Sequence, residues 1–157
     1  LYEDFVCFMH SVEYLNVVAA RKNGKWGLVT ADGSGTELSG FVYDYIAPVA
    51  GAKAVVRRDG RWGYLDLDGK PFTPVEYDAI IIEEGGYTFM NGISMFRKDG
   101  RYGVTDGISI SQPVFDEIDI IELGQWITGT RDGKKGYITE KGEFTEDENE
   151  AWWYAED

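Results

Sequence analysis

The chain offers few residues with which to do chemistry. Its single histidine, His10, and single cysteine, Cys7, stand three residues apart in "CFMH". An imidazole can activate a thiolate, but a three-residue spacing in an extended segment sends the two side chains to opposite faces. Cys7 therefore reads as a small apolar residue. One cysteine also excludes an internal disulfide framework and a Cys-based zinc site. No Gly-x-Ser-x-Gly elbow and no paired histidines occur, so the usual hydrolase and zinc constellations lack raw material. "DLDG" at 66–69 has some calcium-loop character, yet Tyr64 stands where the first carboxylate belongs and the closing Glu is out of register. Among 28 acidic residues, nothing in the spacing selects a glycosidase-like pair. No glycine run opens a helix in the manner of a phosphate-cradling loop. The expectation is a protein that is not an enzyme and holds no metal and no cofactor.

Charge narrows the partners. The 157 residues carry a net charge of −13, which argues against nucleic acid, because phosphate binders show a dominant basic face. Seven acidic residues and no basic one lie between Glu143 and Asp157, so the body itself is only mildly acidic. No run approaches the roughly 18 apolar residues of a membrane span, so no membrane insertion is expected. The opening "LYEDFVCFMH" lacks the basic start and apolar length of a signal peptide. A chain starting at Leu1 is expected to be a processed or excised piece.

The elements that carry the remaining polar residues are repeated. "KNGKWGLVTADG" (22–33), "RDGRWGYLDLDG" (58–69), "KDGRYGVTDG" (98–107) and "RDGKKGYITEKG" (131–142) share one pattern. The glycines after the aromatic position, Gly27, Gly63, Gly103 and Gly136, are spaced by 36, 40 and 33 residues, a period that decides the fold class. An apolar stretch meets Asn23-Gly24, Asp59-Gly60, Asp99-Gly100 or Asp132-Gly133, dipeptides suited to the two positive φ angles of a type I′ hairpin turn. A second strand follows, then a turn at Gly33, Gly69, Gly107 or Gly142, then a β-branched and aromatic segment such as "FVYDYIAPV". No useful length shows a helical period. The fold class is all-β, with tandem hairpin or meander repeats of about 36 residues over residues 1–145, about four units with the first and last incomplete, and an acidic aromatic tail at 146–157. "YEDFVCF" (2–8) matches "YDYIAPV" (43–49), so the chain opens on the last strand of a unit. About 36 residues is tight for a four-stranded blade, which favours an open stacked array over a small propeller-like ring.

A glycine inside a strand calls for a close approach. Trp26, Trp62 and Tyr102 are expected to lie across neighbouring glycine surfaces as a ladder of rings, with Lys135 taking that position in an end unit. Twelve of the 15 basic residues flank the four turns. Stacking would gather Lys22, Lys25, Arg58, Arg61, Lys98 and Arg101 into a cationic ridge for an anionic peptide or glycan, unless carboxylates such as Glu83, Glu84, Asp116, Asp119 and Glu122 neutralise them. The recurring Tyr43-Asp44, Tyr77-Asp78 and Phe115-Asp116, with Tyr2-Glu3 a near match, predict a structural hydrogen bond to a turn or neighbouring backbone. Trp152 and Trp153 are candidates either for docking on the body or for meeting a partner.

The units "NGKWGLVTADG" and "DGRWGYLDLDG", each followed by "YDYI" or "YDAI", resemble the bacterial WG-containing repeat over roughly residues 17–145. Tyr102 replaces the Trp in the third unit and Lys135 in the fourth. The resemblance implies an all-β repeat protein, often surface-exposed or secreted, that acts by interaction and brings no catalytic residues. Two functions follow as expectations. One is a binding or scaffold module for a protein or peptide. The other is a carbohydrate-binding module at the bacterial cell surface, using aromatics such as Tyr87, Phe89, Trp126 or Trp152. The sequence leaves the oligomeric state open.

Overall fold

The computed structural model describes residues 2–7, 16–47, 53–81, 94–119 and 127–152. The chain is all-β, in small antiparallel sheets of which none closes into a barrel. It divides into two compact units, Leu1–Phe89 and Met90–Asp157. Among the described residues no helix is long and apolar enough to cross a membrane, and no His, Cys, Asp or Glu side chains group as a metal site.

In the first unit, β1 (Asp4–Cys7), β2 (Val17–Lys22) and β3 (Lys25–Thr30) form one sheet in that order. β4 (Tyr45–Ala47), β5 (Lys53–Arg58) and β6 (Arg61–Asp66) form the next, and β7 (Ala79–Ile80) follows. In the second unit, β8 (Ser94–Lys98) and β9 (Arg101–Thr105) make a hairpin. There β10 (Glu117–Asp119), β11 (Thr128–Arg131), β12 (Lys134–Ile138) and β13 (Phe144–Thr145) make a four-stranded sheet.

All four hairpins turn on the expected dipeptides. Asn23, Asp59 and Asp99 have φ of 52° and Asp132 of 50°, each followed by a glycine of positive φ. Asn and Asp are the side chains that tolerate this region best, so the turn chemistry fixes the register. Arg21 faces Trp26, Arg57 faces Trp62, and Arg97 faces Tyr102.

The aromatic of each second strand then pairs with the next aromatic-acid dipeptide. Trp26 bridges to Tyr43, Trp62 to Tyr77 and Tyr102 to Phe115. At Asp44 the chain leaves β3 for the following hairpin, its N–H donating to the Arg57 carbonyl at 2.8 Å. Asp116 does the same to Thr130 at 2.7 Å. One linking segment thus joins successive repeats.

The turn end of each hairpin is open to solvent, and in the second hairpin the far half is buried on both faces. Val55, Val56, Tyr64 and Leu65 are fully buried, which stabilises the second sheet by about 1.5–3 kcal/mol per large apolar side chain. In the second unit Val104, Phe115, Ile118, Ile127, Ile138 and Trp152 form one cluster.

The strand glycine owes its place to the chain returning over it. A Cβ on Gly63 would stand 2.8 Å from the Pro74 carbonyl oxygen and 2.9 Å from the Val75 Cα. This corrects the expected ring ladder: backbone of the same repeat covers the glycine. Among the described residues no ring contact joins Trp26 to Trp62. The Trp62 ring meets Tyr45 edge-on at 5.5 Å and the Arg57 guanidinium at 5.5 Å, Arg57 being its cross-strand neighbour and Tyr45 the next residue in the same row. Gly69 is doubly required, with φ of +87° and a Cβ position only 2.0 Å from the Leu38 carbonyl oxygen of the repeat before.

Candidate binding edge

The recurring acid caps the next turn. Asp44 Oδ2 accepts the Asp59 N–H at 2.9 Å, Asp116 Oδ2 accepts the Gly133 N–H at 3.1 Å, and Glu3 Oε2 accepts the Gly24 N–H at 3.1 Å. A type I′ turn leaves its amides pointing outward, and a carboxylate satisfies them with a charge-assisted bond. The same acids reach back to the base after the previous turn. Lys25 donates to Asp44 and Arg61 to Asp78, while Arg101 lies 3.7 Å from Asp116. The Lys25 hydrogen bond first, and the Asp59 N–H second, hold the Asp44 carboxyl below the ordinary carboxylate range.

These contacts engage most of the basic residues singled out above. Lys22 pairs with Glu37 at 3.1 Å, Lys25 with Asp44, Arg61 with Asp78, and Arg101 with Asp132 at 2.9 Å. The Asp132 hydrogen bond raises the Arg101 pKa further above its already high value. Lys98 is also engaged. Within each unit the turn edge therefore alternates bases with carboxylates. Long basic side chains reach the nearest acid across one strand spacing, and the acids are there because the turns need them. Arg58 makes no ion pair among the described residues and lies over the Tyr43 ring at 6.0 Å.

Beside that edge Tyr45, Arg57 and Trp62 stand in one row across β4, β5 and β6. All three are half-buried. Arg57 has no ion pair among the described residues, and its Nε is buried without a hydrogen-bond partner. The counterparts elsewhere differ: Asp4, Arg21 and Trp26 in the first sheet, where Arg21 is taken by Glu3 at 3.3 Å, and Glu117, Thr130 and Lys135 in the last.

Residues 31–62 and 62–102 match the model of the WG containing repeat. Residues 31–102 carry two adjacent WG repeats. No curated protein and no solved structure matches the chain. The matched residues begin after Trp26-Gly27 and end at Tyr102, before the unit with Lys135.

Each of the first three units also uses a hydroxyl that sequence reading missed. The residue after the strand glycine donates its N–H to a Ser or Thr on the returning chain: Leu28 to Ser39 at 2.8 Å, Tyr64 to Thr73 at 3.0 Å, Val104 to Ser111 at 2.8 Å. In the last unit the tail docks. The Trp152 N–H donates to the Ile138 carbonyl at 2.7 Å, and its side chain is only 6% exposed. That burial removes Trp152 from the surfaces a partner can reach. Trp153, Tyr87, Phe89, Trp126 and His10, with Glu83, Glu84 and Glu122, lie outside the described residues. Asp66 of the "DLDG" turn holds Lys53 at 2.6 Å.

Proposed function

We propose that this WG-repeat chain is a non-enzymatic binding module that takes an acidic peptide segment of a partner protein on its second hairpin. The observation that carries this reading is the Tyr45–Arg57–Trp62 row, a guanidinium with no ion pair among the described residues, flanked by two half-exposed rings. Trp, Tyr and Arg are the residues that dominate binding hot spots, and a guanidinium on a ring face presents its donors edgewise to a carboxylate. The net charge of −13 does not oppose this locally, because fields at physiological salt decay over about 8 Å and the second hairpin carries Arg57, Arg58 and Arg61.

Selection of peptides from a displayed random library on the whole chain tests the reading. Enriched peptides are expected to pair acidic with aromatic or apolar residues and to bind at least about tenfold more weakly to Arg57→Ala and to Trp62→Ala. Arg97→Ala, at the matching position in β8, serves as the control. Enriched peptides that bind both variants as they bind the parent, or a selection with no acidic preference, would refute it.

A further inference from the structure

One face of each hairpin follows a rule that the last hairpin breaks. Two residues beyond the aromatic of the second strand, Leu28, Tyr64 and Val104 are fully buried. They face Ala19, Val55 and Met95 across the hairpin, so that this part of the face is core. In the last sheet the same place holds Thr128 facing Tyr137, both half-buried. The neighbouring place, elsewhere an Arg facing an aromatic, holds Thr130 facing Lys135, and Asp119 stands beside Thr128 on β10.

Where the other hairpins pack, this one opens a groove of about 270 Å³. Asp119, Thr128, Thr130, Lys135 and Tyr137 line it, and the paired Gly129 and Gly136 form its floor. On the opposite face both glycines lie hard against the core, where a Cβ would stand 3.0 Å from the Phe115 ring and 2.5 Å from the Thr145 carbonyl oxygen. The floor is therefore held in place. Tyr137 is tethered at its tip, its hydroxyl donating to Glu148 at 3.4 Å. The side chains of Asp119, Thr128, Thr130 and Lys135 have no hydrogen-bond or ion-pair partner among the described residues. A sheet laid on this face would bury the Asp119 and Lys135 charges, which is costly, whereas a polar ligand would use them.

We infer that this groove binds a neutral hexose residue of a glycan. The site lies on another hairpin from the peptide-binding row and does not depend on that reading. Its side chains cover what a sugar needs. The Thr128 and Thr130 hydroxyls donate or accept, the Asp119 carboxylate accepts and the Lys135 ammonium donates, which suits sugar hydroxyls that do both. The Tyr137 ring supplies an apolar surface for the C–H face of a pyranose. Charge selects a neutral ligand, because Asp119 repels an anion and Lys135 repels a cation. The volume lies just under the about 300–1,000 Å³ of typical ligand sites, which suits a single ring with the rest of the glycan outside.

On an array of immobilised glycans the whole chain is expected to be retained by neutral hexose-containing glycans and not by their sulfated or sialylated counterparts. With methyl β-glucoside, methyl β-galactoside and methyl α-mannoside as soluble probes, at least one should shift the amide NMR signals of Thr128, Thr130 and Lys135. Asp119→Asn and Thr130→Val should each weaken binding of that sugar about tenfold with an unchanged circular dichroism spectrum. Arg57→Ala, which should lose the peptide, should bind the sugar as the parent does, so the two sites fail separately. Retention by acidic glycans only, no response to any of the soluble sugars, shifts confined to residues outside β10–β12, sugar binding by Asp119→Asn and Thr130→Val equal to the parent, or its loss in Arg57→Ala would each overturn the inference.

Discussion

Asp44 lies in one repeat and holds the turn of the next: its Oδ2 accepts the Asp59 N–H at 2.9 Å while its Oδ1 takes Lys25 from the repeat before. The carboxyl is held below its ordinary range, so its ionised form favours the folded chain. That contribution is fully present above the ordinary carboxylate pKa of about 4 and fades as the pH falls towards the lowered folded value. Asp44→Asn keeps an acceptor and loses the charge. The variant should melt below the parent at neutral pH, and the gap should close below about pH 4. Thermal unfolding followed across pH checks this, and a gap that does not change with pH would show that the charge is immaterial.

The glycines separate two physical demands. Ala at Gly60, where nothing lies within 4 Å but φ is +77°, should cost about 1–2 kcal/mol from left-handed backbone alone. Ala at Gly63 meets the Pro74 carbonyl and the Val75 Cα, and backbone cannot swing aside, so the cost is about 1–3 kcal/mol from overpacking. Gly69 combines both penalties and should be the worst of the three. Urea midpoints order them; a Gly69→Ala variant as stable as Gly60→Ala would sink the account.

The parts legible in the sequence were those in which chemistry restricts the choice of residue. Asn23-Gly24 and its three relatives announced their turns because few side chains accept positive φ. The Tyr-Asp pair announced a turn-capping bond because it recurs once per repeat. The Ser39, Thr73 and Ser111 hydroxyls stayed hidden, since their distance from the strand glycine drifts with loop length. The partners of Lys22, Lys25 and Arg61 were equally hidden, because a long flexible base can reach several acids, whereas Asp116 beside Arg101 was among the carboxylates expected. Trp62 misled for a related reason: repeat spacing suggested a ladder, but the ring meets the residues of its own row across the sheet, Arg57 and Tyr45.

Thr73 offers a test of one hidden hydroxyl. Its Oγ1 accepts the N–H of Tyr64, which is fully buried. Thr73→Val keeps the shape and strands that donor, at a cost of about 1–3 kcal/mol. Thr73→Ser keeps the acceptor and gives up one methyl, worth about 0.8 kcal/mol. Denaturant unfolding of the two variants decides the matter. Equal losses would mean that packing, and not the hydrogen bond, fixes the residue.

Trp152 should behave as a core residue despite its place in an acidic tail. Its N–H bonds the Ile138 carbonyl, its carbonyl accepts the Ile127 N–H at 3.4 Å, and its side chain joins Val104, Phe115 and Ile138 in one cluster. Truncation of a buried Trp to Ala costs about 3–5 kcal/mol, so Trp152→Ala should weaken the second unit by that order, whereas Lys141→Ala on the surface should stay within about 0.5 kcal/mol of the parent. Chemical unfolding followed by far-UV circular dichroism measures both. A loss below about 1 kcal/mol at Trp152 would mean that its burial contributes little, and the tail would then be free to leave the body and meet a partner.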